Sequence, residues 1–139
     1  MTKWVKSKFE SEIKSFTIIA NKIVSNVSQQ DIKRKLVDQM LADFKKKYNT
    51  KTIEDLKPTA WKNLQGSESW LTDTMTKIEK YVKKSEMDKL NKIIIDILSM
   101  KPVSTPIIMM QNNVGMLVCG EHTLMACRLL NINPRVVVL

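Results

Sequence analysis

Val118-Cys119-Gly120-Glu121-His122-Thr123-Leu124-Met125-Ala126-Cys127 carries a short apolar segment into a glycine and out again into a helix-forming run. Met116 to Cys119 reads as a strand that Gly120 ends, and Leu124, Cys127 and Leu130 recur at the spacing of a helix of about ten residues. Asn131 and Pro134 punctuate the helix exit, and Arg135 to Leu139 reads as a closing strand. A glycine between a strand and a helix start lets the backbone turn sharply and approach a ligand closely. The first-turn amides and the partial positive charge of the helix end then form a seat for a phosphate or another anion. Glu121, His122, Thr123 and, two turns on, Arg128 place a carboxylate, the chain's one imidazole, a hydroxyl and a cation around that turn. Imidazoles ordinarily titrate near neutrality, which suits proton transfer or contact with phosphate. A carboxylate there is also favourable through the helix dipole alone.

Working outward, Ile107 to Met110 is a continuously apolar run of the kind a buried strand shows, and Gln111-Asn112-Asn113-Val114-Gly115 is turn chemistry, so the two runs form a hairpin. Pro102 and Pro106 bracket what reads as a connector. Leu90, Ile94 and Ile97 stripe one helix, with Leu71, Met75, Ile78 and Val82 on another before it; Ser69, Thr72 and Ser85 are candidate caps. Thr52 to Pro58 reads as an extended segment closed by a proline.

Val5, Phe9, Ile13, Phe16, Ala20, Ile23 and Val27 recur at steps of three and four, which predicts a first helix of about six to seven turns. Ser28 followed by Asp31 resembles a helix start, and Ile32, Leu36, Met40, Phe44 and Tyr48 form a second stripe at strict four-residue steps. The expected organisation is a basic helical hairpin over residues 1–50 followed by an α+β unit over residues 51–139 with a small mixed sheet.

Charge is unevenly placed: residues 1–51 hold twelve Lys/Arg against five Asp/Glu, and residues 52–139 hold eleven against nine, within a net charge of +9. Such a field favours anionic partners, nucleic acid first. The basic triplets Lys33-Arg34-Lys35 and Lys45-Lys46-Lys47 are the expected nucleic-acid contacts, with solvated helix faces as the structural alternative. Arginine is confined to Arg34, Arg128 and Arg135, which disfavours sequence-specific reading of bases. No apolar run approaches the roughly 18 residues of a membrane span, and Met1-Thr2-Lys3-Trp4 leads into charged residues rather than a signal peptide; a cytoplasmic setting without membrane contact is the expectation. Cys119 and Cys127, eight apart and with one histidine, make no metal-ligand spacing and read as small buried apolar side chains.

The order of these motifs over roughly eighty of the 139 residues resembles the N-terminal domain of the ParB/sulfiredoxin superfamily. Leu56-Lys57-Pro58, Pro106-Ile107-Ile108-Met109, the hairpin, Gly120-Glu121-His122-Thr123-Leu124-Met125-Ala126 and the closing strand appear in the family's sequence of elements. The family box has the form Gly-Glu-Arg-Arg-x-x-Ala, so Gly120, Glu121 and Ala126 match it, while His122 and Thr123 stand where its phosphate-holding arginines are. The resemblance implies a nucleotide- or phosphate-binding module associated with nucleic acid. Its seat would be Gly120, Glu121, His122, Thr123 and Arg128, and Mg²⁺ with a nucleoside triphosphate would be the implied cofactor pair. Sulfiredoxin chemistry requires a cysteine where this chain has Glu121. A ParB-like nuclease or phosphotransferase using Glu121 as base and His122 as acid is the enzymatic alternative. The third reading is an inert scaffold whose N-terminal helices bind a protein partner or a second copy of the chain.

Overall fold

The computed structural model describes residues 2–6, 9–56, 64, 83–111 and 114–139. Among these the elements run β1 (Lys3–Val5), α1 (Phe9–Ile23), α2 (Gln30–Thr50), β2 (Glu54–Asp55), α3 (Lys84–Leu98), β3 (Pro102–Ser104), β4 (Ile107–Gln111), β5 (Val114–Cys119), α4 (Glu121–Leu129) and β6 (Arg135–Val138). The fold is α+β, with an N-terminal α-helical hairpin and a mixed four-stranded sheet of order β2-β6-β4-β5. Within that sheet β4 runs antiparallel to β5 and parallel to β6, and β2 runs antiparallel to β6. The expected helix over Leu71 to Val82, its caps Ser69 and Thr72, and Pro58, Trp61 and Trp70 lie outside the described residues.

Adjacent residues of a strand point to opposite faces of its sheet, and here both faces are covered. Ile108 and Val136 enter a buried cluster with Leu90 and Ile97 of α3 and Leu124 to Cys127 of α4. Their neighbours Ile107 and Val137 enter a second cluster with Phe16 and Ala20 of α1 and Val37, Phe44 and Tyr48 of α2. This is why β4 and β6 read as continuous apolar runs rather than alternating ones. The helical hairpin forms one outer layer, the sheet the middle, and α3 with α4 the other.

Five expectations need correction. Val5 does not belong to the first helix: Lys3–Val5 is a strand with only Trp4 turned inward, and it pairs in parallel with β3 in register Trp4↔Val103. Pro102 therefore opens a strand instead of a connector, in a first position where a missing N–H is tolerated. Helix α1 stops at Ile23; Ser25 N–H turns to the Lys22 carbonyl at 3.3 Å and Val27 N–H to Val24 at 3.0 Å, tightening the chain into the return. The second stripe drifts, because four-residue steps advance 40° beyond a full turn: Ile32 ends 47% exposed and Val37 is buried on the core side of α2 instead. Neither Ser28 nor Ser85 caps a helix. Gln29 precedes α2 and Lys83 precedes α3, each without a side-chain cap bond.

Lys6, just past β1, fastens the far end of α2. Its ammonium donates to the Tyr48 carbonyl and, at 2.8 Å, to that of Lys51, and it sits 4.4 Å from the centre of the Tyr48 ring. A cation there meets the carbonyl end, and so the negative dipole end, of a helix that no glycine terminates.

Candidate functional site

Helix α4 is buried around its whole circumference: Thr123, Leu124, Met125, Ala126 and Cys127, five successive residues covering every side of a helix, are all buried. Only its ends reach solvent. At the start Glu121 and His122 are half-buried; at the last turn Arg128 is exposed. Gly120 precedes the helix with φ 97° and ψ 22°, a left-handed conformation that favours glycine. A Cβ at this position would stand 2.6 Å from both Cα and Cβ of Pro106, so the glycine is also demanded by packing against the buried start of β4.

The first intrahelical bond runs from Leu124 N–H to the Gly120 carbonyl at 3.0 Å, and the N-cap residue Gly120 brings no side chain to cap the helix start. The amides of Glu121, His122 and Thr123 thus precede the intrahelical ladder. At the other end Asn131, at φ 54°, closes the helix: Ile132 N–H reaches the Cys127 carbonyl at 2.9 Å and Asn131 N–H that of Arg128 at 3.3 Å. Glu121 at the first turn and Arg128 at the last complement the helix dipole.

Of the five expected phosphate-seat residues, Gly120, Glu121 and His122 come together at the helix start. Thr123 does too, but it is only 6% exposed. Arg128 lies on the same side of the helix as Glu121, seven residues and about 10 Å further along the axis. Glu121 and His122 are consecutive and project about 100° apart, so α4 does not aim them at one substrate atom as an acid–base pair. One neighbour was not legible in the sequence: Thr105, next to Pro106, is 2% exposed, and its hydroxyl has no hydrogen-bond partner.

Among the described residues no group of three or more His, Cys, Asp or Glu side chains comes together. Glu121 accordingly brings a single carboxylate, and no step through a metal is assigned to it. No described helix is long and apolar enough to cross a membrane.

Family models, curated proteins and solved structures yield no match to this chain. The ParB/sulfiredoxin resemblance therefore enters the functional reading through motif order alone.

The six expected nucleic-acid contacts do not form one face. Three consecutive helical residues are spread by about 100° each, and the two triplets lie about 18 Å apart along α2. Lys35, Lys45, Lys46 and Lys47 are exposed; Arg34 is exposed and Lys33 half-buried, and those two line a cleft against α1.

Both cysteines are free thiols, Cys127 buried and Cys119 half-buried. Burial pushes the Cys127 thiol up from its ordinary 9.0 to about 12. Folding favours the neutral thiol, so this contribution is complete below pH 9 and is lost as pH rises from 9 toward 12. Between those values the native state should lose about 1.4 kcal/mol of stability per pH unit through this group. Urea unfolding at about pH 10 and 11, between the two values, should give Cys127→Ala a slope shallower than the wild type's by about one proton. Equal slopes would mean that the thiol titrates alike in both states.

Proposed function

We propose that this protein is a phosphate-binding module, its seat the start of α4, in keeping with the resemblance to the ParB N-terminal family. The observation that carries the reading is a helix buried on every side that opens to solvent at an uncapped first turn behind a left-handed glycine. Water screens the dipole of a surface helix; around α4 the shell is protein, so its positive end acts more strongly on an anion. Three amides and the His122 imidazole supply donors of the kind a phosphate oxygen accepts. Nucleotide is the preferred ligand class, with the phosphate on α4.

Glu121 adds negative charge in the first turn of α4, the sign an incoming phosphate also carries, so it opposes binding. Glu121→Gln should tighten inorganic phosphate and ATP by about three- to tenfold, and His122→Ala should weaken both by a comparable factor. Calorimetry in 50 mM salt, with and without Mg²⁺, measures this. Loss of binding in Glu121→Gln would instead mean that the carboxylate holds a metal bridging to phosphate. Absence of binding in both proteins would remove the reading.

A second reading has its own observation. Pro106 fills the space on the Cβ side of Gly120, which accounts for the glycine without a ligand. On that reading α4 is a core helix of an inert scaffold, and neither protein binds phosphate.

A further inference from the structure

Lys33 and Arg34 precede the buried Val37 by four and three residues, so on α2 they occupy the side that faces the core. Apolar side chains fill that side further along the helix, at Phe44 and Tyr48. At the turn end of the hairpin the two cations instead line a cleft of about 270 Å³ with Asn21, Gln30, Val37 and Asp38. Among the described residues the side chains of Lys33, Arg34 and Asp38 have no ion-pair partner. By contrast, Arg135 is held by Asp55 at 3.2 Å and by the Ile53 carbonyl. Asn21 spends one amide N–H on the Thr17 carbonyl at 3.0 Å and keeps a second donor.

We infer that this cleft seats a backbone phosphate of a single-stranded nucleic acid, independently of the α4 start. Two cations against the single carboxylate of Asp38 leave the cleft net positive, which favours an anion there. A guanidinium offers a planar fork that matches two phosphate oxygens, and Lys33 adds a point charge beside it. No aromatic side chain lines the cleft, so nothing in it stacks a base. Recognition is therefore of backbone and not of sequence. A polyanion is favoured over a lone phosphate ion because the net charge of +9 attracts the rest of the strand. Asp38 is the opposing group in the cleft.

The test is fluorescence anisotropy of a labelled ten-nucleotide oligothymidylate at 50 and 200 mM NaCl. K33Q/R34Q should bind at least tenfold more weakly than wild type at 50 mM salt, with a salt slope shallower by about 0.7 to 1.4. Asp38→Asn should bind more tightly. The charge-matched control K89Q/K92Q, on exposed positions of α3, should lose far less. Circular dichroism melts confirm that each variant is folded. Equal losses in K33Q/R34Q and K89Q/K92Q would reduce the effect to diffuse charge and overturn the site. So would binding to anionic-lipid vesicles with none to the oligonucleotide.

Discussion

Gly120→Ala should cost about 2–5 kcal/mol of folding stability, a large share of what holds a domain folded. A methyl group here meets two independent penalties. Left-handed backbone costs a residue with a Cβ roughly 1–2 kcal/mol, and φ at 97° lies well beyond the small left-handed region open to such residues. The new Cβ would also stand 2.6 Å from the Cα of Pro106, whose backbone cannot move without shifting β4. Overpacking of this kind adds roughly 1–3 kcal/mol, for a total of about 2–5 kcal/mol against a typical domain stability of roughly 5–15 kcal/mol. Gly115→Ala provides the contrast: its Cβ would meet the Leu64 side-chain tip at 2.8 Å, an atom at the flexible end of a side chain that can give way. Urea denaturation should place Gly120→Ala several-fold below Gly115→Ala in lost stability. A loss under about 1 kcal/mol for Gly120→Ala would show that the turn is not built as described.

Phe44→Ala is the second large effect. Phe44 is 3% exposed, its ring lies 4.0 Å from that of Phe16 and 6.2 Å from that of Tyr48, and its cluster includes Ile107, Val118 and Val137 of the sheet. Deleting such a ring costs roughly 3–5 kcal/mol. The shape of the transition is as informative as its midpoint. Because the hairpin covers one face of the sheet, Phe44→Ala should unfold in a single transition at lower urea, followed alike by far-ultraviolet dichroism and tryptophan fluorescence. Two separated transitions, the first melting helix alone, would make residues 1–50 an independent attachment.

The order of β4, β5, α4 and β6 was legible because each signal is local: continuous apolar runs, an asparagine-rich turn, a glycine at a strand end, a helical stripe. The β1–β3 pair was hidden because each strand has three residues and its partner lies about a hundred positions away; Val5 also fell by chance into the period of the first helix. At the candidate site, sequence gave Gly120, Glu121 and His122 as a group but could not show what surrounds them. Gly120 reads as room for a ligand, yet the neighbour on its Cβ side is Pro106. Thr123 reads as an available hydroxyl, yet α4 is enclosed and the residue is buried. Lys33 and Arg34 read as two members of a uniform basic triplet offered to nucleic acid, whereas the rotation of α2 set by Val37, Phe44 and Tyr48 brings these two, and not Lys35, to the cleft beside α1. In each case the residue type was visible and the direction of its side was not, because direction is fixed by contacts distant in sequence.

Amide-resolved NMR of the ¹⁵N-labelled chain, titrated with inorganic phosphate at low salt, tests the central claim most directly. Saturable shifts should be largest at the amides of Glu121, His122 and Thr123 and should reach saturation at lower phosphate in Glu121→Gln. Phosphate that leaves those three amides unmoved, whatever it does along α2, would contradict the assignment of the α4 start as an anion seat.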